Sequence, residues 1–188
     1  MAAIMAKKTK VLVTHSKRLQ EEAEDDITFT EEDGNRLLLP HNDALVISIN
    51  VLDLKIQRVL VVPGSSDNII QWRVLEQAKL TGSTIPATKL LVGFNMASVT
   101  TRGEILLPTN AKGVMKKTLF EVVDGDMGYN IILGRPWLPE MKAVPSIYHP
   151  LLKFPTLEGI KQIRGDQPTA REMNAILVYS SKGKKHVA

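Results

Sequence analysis

Ser65 and Ser66, with His41 and Asp43 upstream, are the residue types of a hydrolytic triad. A serine nucleophile on a strand-to-helix elbow calls for a Gly-x-Ser-x-Gly pattern to expose its hydroxyl, and none occurs. Val61-Val62-Pro63-Gly64-Ser65 reads instead as a turn with Pro and Gly at its two central positions, placed after a buried strand. Asp67 follows that turn closely. Asp67 or Ser66 is expected to cap a helix beginning just after, and a helix cap is poorly placed to double as a catalytic base. His15, His41, His149 and His186 lie too far apart in sequence to define a metal site. With no cysteine in the chain, a thiolate nucleophile, a disulfide and a zinc knuckle are all excluded. No glycine-rich phosphate loop or dinucleotide fingerprint is present, so neither a cofactor nor a metal is expected.

Strands must position these residues. From Ala44 on, Leu45, Ile47, Ile49 and Val51 alternate with Val46, Ser48 and Asn50, the period of a strand with one buried face. A turn near Leu52-Asp53 leads into a return strand through Leu54, Ile56 and Val59 to Val62. Between Asn68 and Leu80 the apolar residues Ile69, Trp72 and Leu75, or Ile70, Val74 and Ala78, recur at helical spacing, with Gly82 placed to end the helix. Lys89 to Phe94 precedes Asn95 to Thr101, and Gly103 to Pro108 resumes an apolar strand. Asn110 to Gly113 is a turn by composition, and Val114 to Val123 returns from it. Gly125 to Gly128 turns again before Tyr129 to Leu133 enters the core. Trp72 and Trp137 are expected as core anchors. Short strands at near-regular spacing with one or two short helices predict an all-β, barrel-like domain.

A chain of 188 residues with 44% hydrophobic content can bury one sizeable core, which predicts one domain plus tails. The domain is placed at 41–138. Residues 1–40 begin basic and turn acidic from Glu21 to Asp33, the pattern of a charged, largely disordered leader, although Asp26 to Thr30 is a candidate edge strand. Residues 139–188 read as a Pro-rich linker, in which Pro139, Pro145, Pro150 and Pro155 argue against a long helix or a central strand. Its basic end is Lys182, Lys184 and Lys185. The formal charge is +4 and the pI about 9.3, yet the cations are scattered, so nucleic acid is not an expected partner of this segment. No apolar run is long enough to span a membrane, and Met1 to Met5 is too short for a signal-peptide core, which leaves the cytoplasm as the default location.

Several segments also carry a family resemblance. Arg58 to Ile70 resembles the active-site loop of retropepsin-like aspartic proteases, an apolar strand running into an Asp-Ser/Thr-Gly triplet, with Val62 and Pro63 standing where Asp and Ser/Thr belong. His41-Asn42-Asp43-Ala44-Leu45-Val46-Ile47 is similar to the His-Asp-Asp-Ala-Leu-Val-Val entry into that domain, departing at Asn42. Asn130-Ile131-Ile132-Leu133-Gly134-Arg135-Pro136-Trp137-Leu138 resembles its closing motif. Ser146 to His149, Lys153 to Thr156, Ile163 to Gln167 and Ala170-Arg171-Glu172 resemble the linker that precedes reverse transcriptase in plant gypsy-type LTR retrotransposon polyproteins. Each motif is short, and it is their common order and spacing that carry the resemblance.

The resemblance implies a retropepsin-like closed β-barrel, the acid protease fold, and a homodimer that cleaves an extended segment of its own polyprotein. It further implies a flap at Gly93, Phe94, Asn95 and Met96, and support of the Val62-Pro63-Gly64-Ser65-Ser66 loop by Leu133, Gly134 and Arg135. Aspartic proteolysis needs two carboxylates sharing one proton, one from each subunit, and Val62 supplies neither a charge nor a proton acceptor. General acid-base catalysis is worth about 10²–10⁴-fold. Pro63 also lacks the hydroxyl and the N–H of the usual residue. The expectation is a degenerate, inactive protease domain. Two other readings stand beside it: a module that binds peptide or dimerises without cutting, and an active aspartic endopeptidase whose dyad a partner copy completes.

Overall fold

A computed structural model describes residues 27–34, 43–92, 98–125 and 127–173. Strand β1 (Val46–Val51) pairs with β2 (Leu54–Val61) in a hairpin whose register runs from Val46↔Leu60 to Val51↔Leu54, shifting at a bulge between Ile47 and Ile49. Leu45, Ile47, Ile49 and Val51 are buried, as their alternation requires. Val46, on the opposite face, is buried too, because Ala170 and Met173 of the helix at 167–173 cover it.

Strands β3 (Ile69–Gln71), β6 (Gly103–Ala111), β7 (Val114–Val123) and β8 (Ile131–Leu133) complete a closed six-stranded barrel in the order β1-β2-β8-β3-β7-β6. It closes where Asn50 and Val51 meet Asn110 and Thr109. The β6–β7 turn is two residues long, with Lys112 at φ 50° and Gly113 at φ 91°, the doubly left-handed form that matches strand twist. β8 lies between β2, to which it runs parallel, and β3, to which it runs antiparallel. The loop joining β2 to β3 is thereby pinned on both sides of a third strand. Between β3 and β6, β4 (Leu90–Val92) and β5 (Ser98–Thr100) form a separate two-stranded hairpin. The core runs through the barrel and ends on Trp137, fully buried in the helix Trp137–Met141, with its indole N–H on Thr109.

Three expectations are corrected. The helix expected over Asn68 to Leu80 shrinks to Trp72–Gln77, because Ile69 and Ile70 are claimed by pairing with β7 and β8; tertiary pairing overrides the helical periodicity there. Its N-cap is Gln71, not Asp67 or Ser66, and it ends at Ala78, while Gly82 lies in a 3₁₀ turn at Thr81–Ser83. Second, the stretch read as linker contains β9 (Val144–Ser146), β10 (Leu151–Thr156) and β11 (Gly159–Arg164), with β10 central. Pro155 is tolerated because β9 pairs only with Leu151, Leu152 and Lys153, so the proline lies beyond its reach. Leu152, Phe154 and Ile163 join the barrel core. Third, the edge strand expected over Asp26 to Thr30 is not formed by its described residues, 27–30. Residues 27–34 instead lie against the β9–β11 sheet, where Lys153 Nζ donates to Thr28 O at 2.7 Å and to Asp33 Oδ2 at 2.9 Å, and Phe29 stacks on His149. The charged stretch before residue 27 and the basic end at Lys182 to Lys185 lie outside the described residues.

Candidate functional site: the β2–β3 loop and the base of the β4–β5 hairpin

Val62 leaves β2 with its N–H donated to Leu133 O at 2.9 Å, and Ser65 N–H donates back to Val62 O at 3.0 Å. Pro63 and Gly64 thus occupy the two exposed central positions of a tight turn. Ser65 Oγ donates to Asp67 O at 2.8 Å and Ser66 Oγ to Asp67 Oδ2 at 3.0 Å, so both hydroxyls are spent inside the loop.

The loop rests on the chain that follows β8. Arg135 N–H donates to Ser65 O at 2.8 Å, a contact of backbone rather than guanidinium. A Cβ on Gly134 would lie 2.5 Å from Asp67 O and 2.7 Å from Ser65 O, so only glycine allows so close an approach. Gly134 N–H in turn donates to Asn68 Oδ1 at 2.8 Å. Asn68 is buried, and its Nδ2 reaches Leu119 O while Glu121 N–H donates to its carbonyl. One amide side chain therefore ties the loop to β7 and to the turn after β8. Sequence reasoning missed Asn68. The available signal was a polar residue directly before two β-branched ones, which is too common to single out.

Charge enters from the hairpin. Lys89, just before β4, places Nζ 2.6 Å from Asp67 Oδ1 and 3.6 Å from Glu121 Oε1, with the two carboxylate side chains only 18% and 10% exposed. The Asp67 hydrogen bond is the main reason the Lys89 ammonium titrates above its ordinary range. Burial pushes the Glu121 carboxyl up, the negative charges of Asp67 and Glu104 push the same way, and Lys89 opposes them. Lys89 is itself held in place by Thr101: its N–H donates to Thr101 Oγ1 and its carbonyl accepts from Thr101 N–H. This lysine bridges the loop, β7 and the hairpin base.

The remaining expectations fall as follows. Leu133, Gly134 and Arg135 all meet the Val62–Ser66 loop. Gly93, Phe94, Asn95 and Met96 lie outside the described residues, although β4 and β5 flank them as a hairpin. His41 also lies outside. Asp43 does not face Ser65 or Ser66 through any bond: its Oδ2 accepts from Gln167 Nε2 at 2.9 Å and Arg171 Nε at 3.1 Å. Chemically, the loop as built offers backbone groups, two engaged hydroxyls and a lysine-bound aspartate. At position 62 it offers an isopropyl group.

No family model matches the chain, and no curated protein matches it. Among solved structures it is similar to the retroviral protease-like domain of Ddi1 from Leishmania major, at 16% identity and a TM-score of 0.54, over 67% of this chain and 96% of that one. EIAV protease in complex with the inhibitor HBY-793 aligns at 18% identity and a TM-score of 0.43, over 58% of this chain and 99% of that one. The fold is retropepsin-like, a mainly β closed barrel with few short helices.

Proposed function

We propose that this chain is a degenerate aspartic-protease domain of a gypsy-type retrotransposon polyprotein, a retropepsin scaffold that no longer hydrolyses peptides. The observation that carries the reading is Val62. It stands at the end of β2 in a loop that keeps its turn, its glycine contact at Gly134 and its backbone bond to Arg135, so the carboxylate is missing from an otherwise assembled support. Asp67 is no substitute, since its carboxylate is bound by Lys89 and Ser66. The dyad of a homodimer would lose both acids at once by this one replacement.

The test is the double change Val62→Asp and Pro63→Ser, assayed on a polyprotein-derived peptide between about pH 4 and 7, the range over which a coupled dyad titrates. The parent chain is expected to show no pepstatin-sensitive turnover. The double variant is expected to gain it, with a bell-shaped pH profile. Turnover by the parent that is lost with Asp67→Ala reverses the reading in favour of an active endopeptidase. A dimeric double variant that cleaves nothing reduces the protease reading to ancestry.

A second reading, peptide binding without cleavage, is favoured by the β4–β5 hairpin. Each of its strands pairs only with the other among the described residues, leaving an edge to which an extended peptide can add as a further strand.

A further inference from the structure

Away from the β2–β3 loop, a cleft of about 620 Å³ opens between the bulge of β1, the β6–β7 turn and the end of β11. It shares no residue with the loop or with the β4–β5 hairpin. Its floor is a row across three strands: Lys55 of β2 pairs with Asn50 of β1, and Asn50 pairs with Asn110 of β6, so the three side chains stand side by side on one face. Lys112 and Arg164 complete the basic lining.

Most of the charged donors in this cleft are uncommitted, while its carboxylate is engaged within its own turn. Among the described residues, Lys55 and Lys112 make no ion pair or side-chain hydrogen bond, and Arg164 donates only to the carbonyl of Asp33, at 3.4 Å. Asn110 Oδ1 accepts from Gly113 N–H, which leaves its NH₂ as the end available to a ligand. Asp166, the one carboxylate in the lining, accepts from Thr169 N–H at 3.1 Å and Thr169 Oγ at 2.7 Å. Lys161, outside the lining, reaches Lys112 O with its Nζ at 3.0 Å, but it is paired with Glu158 at 3.1 Å and is not counted among the cleft's cations. Lys112 is also an unusual choice for its backbone. At φ 50° in a two-residue turn, Asn or Gly is the residue the geometry favours.

We propose that this cleft binds a phosphate-bearing polyanion. Three cations with amide donors between them match several phosphate oxygens at once, and the volume lies within the roughly 300–1,000 Å³ of small-molecule sites. The chemistry is shared by a free oligophosphate and by a nucleic-acid backbone, and the experiment separates the two.

Inorganic tripolyphosphate and a short single-stranded DNA are titrated into the full chain at low salt, followed by calorimetry and by the amide NMR signals of Lys55, Asn110 and Gly113. Saturable binding of one or both is expected, with shifts confined to the cleft. Lys55→Gln, Lys112→Asn and Arg164→Gln should each weaken it about fivefold, the ceiling of an exposed ion pair. Lys79→Gln, exposed just beyond the helix Trp72–Gln77 and outside the cleft lining, should not. Lys112→Asn keeps the test free of folding artefacts, because Asn suits the turn better than Lys. Tripolyphosphate binding alone identifies a small anion. DNA binding that is lost in the same variants and falls steeply with salt identifies the nucleic-acid backbone. Absence of saturation by either probe, or affinity unchanged in the Lys55, Lys112 and Arg164 variants, overturns the proposal.

Discussion

At position 134 the space for a side chain is occupied by the carbonyls of Ser65 and Asp67. Gly134→Ala should therefore force the β2–β3 loop off its support and cost about 1–3 kcal/mol, the range of overpacked sites. Chemical denaturation checks it, with Gly82→Ala, where nothing lies near, as the control expected to change little. Lys89→Met removes the cation that opposes the raised titration of Glu121. The Glu121 carboxyl should then titrate at still higher pH by carbon-detected NMR, and stability near neutrality should fall by about 0.5–1 kcal/mol, a figure held low because the lysine is half exposed. The signs differ between the partners. Lys89, raised by its bond to Asp67, contributes stability that is present below its ordinary pKa and lost as pH rises through the folded value. Glu121, raised by burial, costs stability as pH rises through the carboxylate range, and on acidification it takes up a proton before an ordinary glutamate does. The Pro63-Gly64 turn was legible in the sequence because proline and glycine act locally. The Asp67–Lys89–Glu121 cluster was not, since charges scattered along a chain do not announce which of them will meet.

Both long hairpins were readable from period-two alternation and turn composition, and the structure places them close to the expected bounds: Val46–Val51 with Leu54–Val61, and Gly103–Ala111 with Val114–Val123. Periodicity failed over Ile69 to Gln71, a run too short to distinguish strand from helix, where Ile69 and Ile70 pair on both sides inside the barrel and Gln71 pairs with β7. Proline counting failed at β10, because it ignores which side of a strand is paired at each position. Phe154 offers the sharpest check on that sheet. It is fully buried in the barrel core, so Phe154→Ala should cost about 3–5 kcal/mol in denaturant unfolding. A tail hanging from a finished barrel would register no change.

On the scale of the molecule, the barrel, the β9–β11 sheet and the segment at 27–34 form one continuous set of contacts, through Phe154 and Ile163 on one side and the Lys153–Asp33 pair on the other. Limited trypsin digestion should accordingly leave a fragment that retains 27–34 and extends through residue 173. Early cleavage after Lys153 or Lys161 would contradict this, since both lie in paired strands. The placement of β8 has a kinetic corollary. The loop between β2 and β3 takes its shape from residues 133–135, and the Asn68–Gly134 bond joins positions 66 apart in the chain. A nascent chain emerging from the ribosome has both flanking strands exposed, with a one-strand gap between them, until β8 arrives to fill it. Closing such a distant contact is slow, and the unfilled edges of β2 and β3 are the surfaces most exposed to wrong pairing while the chain waits.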